Sequence, residues 1–404
     1  MASIRKRGVC YYVIHNVKDL DGNTKQIWES GYTHKEAIKR KAEIEYKKSK
    51  GLRIQYSNMS FKQFVEQWLP TYAVGNWQFG TYSSSESCVR LHVLPSIGDV
   101  PLHEVTPRMI EELIGSLYTK KIENHSNTNR YLSSSTIRII YVLLSQIFNK
   151  AVEWEYIEKS PVRCKAPKKH DAEQNIWNSD AFSYSLRNVE NPILYLAIHL
   201  SFVCSLRVGE LLAITLDDID LFDKSIMINK TIQRVDKQAL KSVSNNSIIK
   251  IFRDKVPASK TSIVLKTPKT KSSVRKVFLS QPLIDELQQV IAHRKTSKDL
   301  FRWPENHNLL FCFDEDGSPI TPHLCRKWFK LWQSKNAFEL PNISFHGIRH
   351  SSSTYKLLLS NGNYKAVQGD TGHASTGVLM DIYAHIQDEP RRDLMAKFEV
   401  DFYR

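Results

Sequence analysis

The chain of 404 residues has few of the features that mark secreted or membrane-spanning proteins. Its six cysteines are scattered and form no Cys-x-x-Cys pair, which argues against a disulfide framework and a zinc knuckle. No apolar run approaches the roughly 18 to 20 residues of a membrane span, and the N-terminus lacks the apolar stretch and cleavage site of a signal peptide. We therefore expect a cytoplasmic protein with reduced cysteines and no membrane partner.

The chain is also short of acidic residues. Its 42 Asp and Glu stand against 57 Lys and Arg, a net charge of +15 that predicts attraction to a polyanion, nucleic acid above all. The excess is densest between Lys230 and Lys276, where 13 basic and 2 acidic residues occur among strand-like pieces. A solvated loop would explain such a segment, but basic residues on strands favour contact with phosphates.

The order of elements predicts an α+β protein of several domains. Residues 1–55 alternate as strands and continue as a Lys-rich helix behind a capping-box motif, which predicts a small three-stranded sheet plus a helix. Residues 56–165 have helical spacing. An extended, basic connector around residues 161–170 leads to residues 171–404, which we predict to be mainly helical with a small antiparallel sheet.

Four short motifs in the last domain hold isolated polar residues. Arg207 stands in an apolar stretch, Leu206-Arg207-Val-Gly-Glu210, where a lone guanidinium must be paired, as Glu210 would allow, or must face a ligand. His346 and Arg349 are three residues apart and share a helix face. Gly372-His373 and Tyr383 follow. Singly each motif is weak, because a tyrosine on an amphipathic helix is usually a core residue and a histidine after glycine often belongs to a helix end.

Together, in this order and behind a basic hairpin, the motifs resemble those of the tyrosine recombinases, more narrowly the integrases of temperate phages and conjugative transposons. The resemblance covers nearly the whole chain. It implies a site-specific recombinase that cuts and rejoins DNA strands through a 3′-phosphotyrosine intermediate, to integrate and excise a mobile element or prophage. It also implies that the reaction needs no metal, ATP or other cofactor.

The resemblance assigns a role to each matching residue. Arg207 and Arg349 match the pair that clamps the scissile phosphate, a task suited to the planar donors of guanidinium. Tyr383 matches the nucleophile, and covalent storage of the phosphodiester lets strands rejoin without ATP.

The remaining roles concern protons and hydrogen bonds. His346 matches the general base that helps the phenol lose its proton, and His373 matches a donor to the phosphate. A lysine in a hairpin turn serves the family as general acid for the departing 5′ oxygen. The context Pro-Lys-Thr favours Lys269, and Lys271 stays open as the alternative.

The resemblance also assigns the three domains. Residues 1–55 match an arm-type DNA-binding domain, residues 56–165 a helical, SAM-like core-binding domain, and residues 171–404 the catalytic domain. The implied partners are the double-stranded DNA of attachment sites, further copies of the chain in a homotetramer on DNA, and accessory proteins for DNA bending and excision. In a bacterial cytosol such a protein associates with the nucleoid when bound.

Two departures from the family pattern stand out. Ser205 precedes Leu206-Arg207 where the family often has glycine, and Gly369-Asp370-Thr371 stands where the family often has an apolar pair before Gly-His. Both concern backbone packing rather than reacting groups. The hairpin of residues 233–261 is longer than the family's usual connection.

Three rival functions remain. A zinc hydrolase is suggested by four histidines, His346, His350, His373 and His385, but Arg349 inside such a site would repel a dication. A type IB topoisomerase shares the chemistry but has no use for an arm-type domain. A catalytically inactive DNA-binding regulator derived from a recombinase has no need of Tyr383.

Overall fold

The structure, a computed structural model, describes most of the chain, and the chain divides into two compact units, Met1–Asp171 and Ala172–Arg404. The described residues are 2–18, 24–49, 59–122, 130–168, 175–242, 247–301, 308–360 and 362–373, with residues 375, 377, 380, 395, 396, 399 and 400.

An antiparallel three-stranded sheet and one helix open the first unit, as predicted. Strands β1 (Ser3–Arg7), β2 (Cys10–Lys18) and β3 (Thr24–Tyr32) pair in that order, and helix α1 (His34–Ser49) packs against them. The capping box forms, because the Thr33 N–H donates to the Glu36 carboxylate at 2.9 Å and the Glu36 N–H to the Thr33 hydroxyl at 3.4 Å. The small core between sheet and helix consists of Ala2, Val13, Ala37 and Ile44.

A charged network supplements this small core. Arg40 on α1 donates to both carboxylate oxygens of Glu29 on β3, from Nε at 2.8 Å and from Nη2 at 3.1 Å. His15 Nε2 lies 3.0 Å from the same carboxylate, and the Tyr32 hydroxyl donates to it at 2.9 Å. Burial alone raises the pKa of Glu29, but its hydrogen-bond donors lower it to about 2. Glu29 is therefore an anion that ties the helix to the sheet.

We predict that Glu29→Gln destabilises this sheet-and-helix region by about 2 kcal/mol at pH 7, because Arg40 and His15 lose a charged acceptor. Faster amide hydrogen exchange in β2 and β3 would report the change. Glu43→Gln is the control, since Glu43 meets Arg40 at 3.3 Å with 47% of its side chain exposed and contributes little. Equal effects of the two substitutions would contradict the prediction.

Helices dominate the remainder of the first unit, as the spacing of apolar residues predicted. A π-helical turn, Val89–Val93, joins α3 to α4. The elements are α2 (Phe61–Ala73), α3 (Phe79–Cys88), α4 (Leu94–Ile97), α5 (Pro107–Thr119), β4 (Lys121–Ile122), β5 (Arg130–Tyr131) and α6 (Ser134–Glu153).

The described part of the connector, residues 161–168, has no regular secondary structure, as predicted. It is fastened to α6 by two side chains. The Tyr141 hydroxyl donates to the Cys164 carbonyl and Arg138 Nη1 to the Pro167 carbonyl, each at 2.8 Å. These residues thus belong structurally to the first unit.

The second unit is mainly helical with small antiparallel sheets, which confirms the predicted fold class. Helix α8 (Pro192–Val203) is largely apolar and mostly buried, as expected of a helix packed among others. The elements are α7 (Ser179–Asn188), α8 (Pro192–Val203), α9 (Val208–Leu211), β6 (Ile219–Asp220), β7 (Ser225–Ile228), β8 (Thr231–Asp236), α10 (Lys237–Ser242), β9 (Ile248–Ile251), β10 (Thr261–Lys266), β11 (Arg275–Phe278), α11 (Gln281–Phe301), α12 (Pro322–Lys335), α13 (Phe345–Leu359) and α14 (Tyr364–Thr371).

The segment of residues 233–261 forms the long hairpin that we predicted, together with a third strand that we did not predict. Strands β8 and β10 pair directly, but α10 and β9 lie between them in sequence, and β9 joins the other edge of β10. The long connection therefore builds a three-stranded sheet of its own, in the order β8-β10-β9. A second three-stranded sheet has the order β11-β7-β6. Its strands come from the chain before β8 and after β10.

None of the helices in the described ranges combines the length and apolar composition that crossing a membrane requires.

Candidate active site

A tight turn between α8 and α9 places Arg207. Ser205 has a φ of +50°, in the left-handed region that glycine enters at least cost, so the departure from the family's glycine falls where the backbone favours glycine. The Ser205 hydroxyl lies 2.6 Å from the Ser352 hydroxyl on α13. This contact fastens the turn to α13 and partly offsets the strain.

Glu210 on α9 is the direct partner of Arg207. Arg207 Nη1 donates to Glu210 Oε1 at 2.6 Å, and the Arg207 N–H donates to Oε2 at 3.2 Å. Gly209 allows α9 to approach β8, because a Cβ at this position would lie 2.6 Å from the Thr231 hydroxyl oxygen. Arg207 keeps 40% of its side chain exposed, whereas Glu210 is buried. Arg207 is thus a paired arginine that still faces solvent.

Arg349, on α13, lies deeper in the same cluster and is 1% exposed. Its Nη1 donates to the Ser205 carbonyl at 2.5 Å and lies 3.9 Å from Glu210 Oε2. Its Nη2 meets His373 Nε2 at 3.3 Å. The structure therefore brings together three of the predicted site residues, Arg207, Arg349 and His373.

A third arginine, Arg275, completes the cluster and was missed by our sequence analysis. It begins β11, is 7% exposed, and donates from Nη2 to Glu210 Oε2 at 3.1 Å. The period of two along β11 puts Arg275 on the same face as the buried Val277, a signal that would have marked it as inward-facing. Burial raises the pKa of Glu210, but the charges of the arginines, led by Arg275, lower it overall.

A chain of hydrogen bonds fixes the orientation of His373. The Thr371 hydroxyl donates to the Val367 carbonyl at 2.7 Å, so it accepts from His373 Nδ1, also at 2.7 Å. Nδ1 therefore carries the proton, and Nε2 accepts from Arg349. Burial and then the charge of Arg349 lower the pKa of His373 to about 3, so the ring is neutral at neutral pH.

His346 lies one helical turn from His350 on α13. The two rings meet edge to face with centroids 4.7 Å apart. His346 is exposed, yet desolvation by the groups around it and then the charges of His350 and Arg349 lower its pKa to about 4. A neutral His346 at the edge of the arginine cluster is able to accept a proton.

The two lysine candidates share the loop between β10 and β11. Lys269 is exposed and lines an open groove of about 520 Å³. Lys271 starts a 3₁₀ turn, Lys271–Ser273, and its side chain lies outside the described residues. The loop comes close to the cluster at its far end, where the Ser272 carbonyl oxygen is 3.0 Å from where a Cβ on Gly372 would lie.

Tyr383 and His385 lie outside the described residues, so the structure does not relate the predicted nucleophile to the cluster. Among the residues that it does describe, no three His, Cys, Asp or Glu side chains are grouped as they would be to hold a metal ion. His373 is instead engaged by Thr371 and Arg349.

Comparison with known proteins identifies the family of the chain. Residues 181–390 match the phage integrase family, and residues 60–118 match the N-terminal SAM-like domain of phage integrases. The chain belongs to the phage integrase family. The matched range of residues 181–390 contains all six predicted site residues: Arg207, Lys269, His346, Arg349, His373 and Tyr383.

Curated relatives of this integrase-family chain match it nearly end to end. A XerC-like tyrosine recombinase of Caldanaerobacter subterraneus subsp. tengcongensis is 23% identical over 397 residues, 94% of each chain. The ICEBs1 integrase of Bacillus subtilis is 21% identical over 376 residues, 91% of this chain and 90% of its own.

Solved structures of integrases share the fold. The Tn1549 transposon integrase in complex with circular intermediate DNA superposes with a TM-score of 0.65 at 21% identity, over 84% of this chain and 99% of that chain. A lambda integrase dimer bound to a COC′ core site gives a TM-score of 0.55 at 14% identity, over 96% and 95% of the two chains.

The lowered pKa of His373 predicts a pH dependence of stability. An unfolded histidine titrates near 6.5, so the unfolded state takes up the proton first as the pH falls. At pH 5 the free energy of unfolding loses about 2 kcal/mol relative to neutral pH on account of this one residue.

Urea denaturation at pH 7.5 and pH 5 checks this expectation. The difference between the two pH values should shrink by about 2 kcal/mol in His373→Asn, which cannot take up the proton. His323→Asn, which alters an exposed histidine on α12, is the matched control and should behave as the wild type. An unchanged difference in His373→Asn would show that the folded ring takes up its proton normally.

Proposed function

We propose that the protein is a site-specific recombinase that cuts and rejoins DNA through a 3′-phosphotyrosine at Tyr383, and so integrates and excises a mobile element or prophage. The observation that supports it most directly is the cluster of three guanidinium groups around one carboxylate. Arg207, Arg275 and Arg349 set three positive charges against the single negative charge of Glu210. Such a site favours an anion with charge on more than one oxygen.

In the proposed reaction the Tyr383 oxygen attacks the phosphorus while the bond to the 5′ oxygen breaks. His346 takes the phenolic proton, and Lys269 or Lys271 gives a proton to the 5′ oxygen, so that a neutral 5′-hydroxyl leaves. The Arg207 side chain, which is accessible to solvent, meets the phosphate first, with Arg349 deeper in the cluster. Reversal of the same steps rejoins a strand without ATP.

The proposed role of His373 requires a change of protonation. Both ring nitrogens are engaged, and Nε2 accepts from Arg349. It becomes a donor to phosphate only when Nε2 gains a proton. The negative charge of a bound phosphodiester offsets the arginine charges that lower the pKa of His373, so binding of DNA favours this proton uptake.

We propose that residues 1–55, 56–165 and 171–404 act as arm-binding, core-binding and catalytic domains on double-stranded attachment-site DNA. In residues 1–55, the face of the sheet that points away from α1 carries basic and aromatic side chains. Arg5 and Arg7 lie over the Trp28 ring, with distances of 6.0 and 5.6 Å to its centroid, and Tyr12 meets Trp28 edge to face. This combination suits a nucleic acid.

A homotetramer on DNA is supported by the lambda integrase tetramer bound to a Holliday junction, and we expect bending and excision proteins as accessory partners.

A nicked suicide substrate carrying the element's own end tests the reaction. Wild-type protein should form a covalent protein–DNA adduct visible on a denaturing gel, in the presence of EDTA and without ATP. Tyr383→Phe should bind the same DNA with unchanged affinity and form no adduct, because it lacks the attacking oxygen.

An adduct that persists in Tyr383→Phe would identify another nucleophile. Binding without adduct by both proteins, on a panel of end sequences, would instead favour the inactive DNA-binding regulator. Loss of the adduct in EDTA would contradict the proposed metal independence.

The basic–aromatic face gives a second prediction. The double variant Arg5→Ala/Arg7→Ala should reduce integration at full-length attachment sites by about tenfold or more and leave cleavage of a short core site unchanged, because each lost phosphate contact weakens binding. Lys35→Ala/Lys39→Ala on α1 removes the same charge from the same region and serves as the control. Equal losses in both double variants would mean that net charge, rather than this face, decides binding.

A further inference from the structure

Arg275 is the one arginine of the cluster to which the proposed mechanism gives no task. It is nearly buried, and all three of its donor nitrogens have acceptors. Nε donates to the Asp370 carbonyl at 2.9 Å, Nη1 to the Ser273 carbonyl at 3.3 Å, and Nη2 to Glu210 Oε2 at 3.1 Å. These acceptors belong to three different segments: the end of α14, the β10–β11 loop, and α9.

The β10–β11 loop, residues 267–274, is the segment that carries both candidate general acids. Thr270, next to Lys269, has its hydroxyl 3.1 Å from the Ser272 hydroxyl and 2.9 Å from the Ser273 hydroxyl. The Ser273 N–H donates to the Thr270 carbonyl at 3.0 Å. Arg275 donates to the Ser273 carbonyl, and Ser273 is bonded to Thr270, the neighbour of Lys269. A short chain of hydrogen bonds thus connects the Arg275 guanidinium with the backbone next to Lys269.

The end of α14 approaches the same guanidinium so closely that only glycine fits. Gly372 has a φ of +67°, and a Cβ there would lie 3.0 Å from Cδ and Nη1 of Arg275 and from the Ser272 carbonyl oxygen. Gly372 precedes His373. Arg275 therefore contacts both the β10–β11 loop, which carries the two lysines, and the end of α14, which precedes His373. It also shares the Glu210 carboxylate with Arg207.

We propose that Arg275 is a positioning residue for protonation of the leaving group: it fixes the β10–β11 loop, and with it Lys269 and Lys271, against the cluster that binds the phosphate. The inference rests on the proposed function. Arg275 itself donates no proton. When the bond between phosphorus and the 5′ oxygen breaks, the ammonium of the lysine supplies the proton, and Arg275 keeps that ammonium within reach.

This role separates experimentally from a general structural one. In a substrate whose 5′-bridging oxygen is replaced by sulfur, the leaving group departs as a thiolate. It needs no general acid, because a thiol has a pKa of about 8.5. Loss of general-acid positioning should therefore slow cleavage of the oxygen substrate and spare the sulfur substrate. Damage to the phosphate clamp should slow both.

Arg275→Lys is the informative variant, because it keeps a cation beside Glu210 but cannot donate to Ser273 and Asp370 together. Single-turnover cleavage by Arg275→Lys should fall about 100-fold on the oxygen substrate and less than about tenfold on the sulfur substrate. Lys269→Met and Lys271→Met, run in parallel, identify which lysine shows the same pattern. Thermal unfolding of each variant monitors folding.

Arg294→Lys is the matched control. Arg294 is 5% exposed and also bonds a carbonyl, that of Leu310, and a carboxylate, that of Asp314, but on α11 outside the cluster. It should cleave both substrates as the wild type does. Equal losses of Arg275→Lys on the two substrates, or no loss on the oxygen substrate, would overturn the inference. If wild-type protein forms no adduct with either substrate, the proposed function fails instead.

Discussion

The carboxylate of Glu210 is buried and lies within 4 Å of guanidinium nitrogens of Arg207, Arg275 and Arg349. Without it, the buried guanidinium groups of Arg275 and Arg349 would lack a carboxylate partner, which is strongly destabilising. With it, the arginines come together from the turn before α9, from β11 and from α13, which are distant in sequence. One negative charge thus sets the relative positions of the parts from which the candidate active site is built.

The backbone meets this electrostatic requirement at three points. Ser205 adopts a left-handed conformation that turns Arg207 toward Glu210, Gly209 lets α9 touch β8, and Gly372 ends α14 where Arg275 passes. Each position tolerates little change, since a larger side chain at the two glycines would strike neighbouring atoms at 3.0 Å or less. The short motifs around Arg207 and His373 therefore combine the side chains of the cluster with the turns that position them.

Much of this was predictable from local patterns. Capping motifs and periodicity identified the first sheet, its helix and the helical regions, because these signals act within a few residues. The third strand of the sheet of residues 231–266 was not predicted, because the pairing of β10 with both β8 and β9 joins residues 13 to 35 positions apart in sequence, which no local signal encodes. Arg275 was overlooked among many basic neighbours. The alternation along β11 marks it as inward-facing, but only the tertiary fold shows that its partner is Glu210.

The excess charge of the cluster has a consequence for catalysis. Three guanidinium groups and one carboxylate leave two uncompensated positive charges. Together with desolvation, the charges of Arg349 and Arg207 lower the pKa of both His373 and His346. In the proposed reaction a phosphodiester would bring one negative charge to this site, whereas the five-coordinate state that follows nucleophilic attack would carry two. The site would then match the charge of the transition state better than that of the substrate, and interactions that strengthen on the way to the transition state are those that accelerate a reaction.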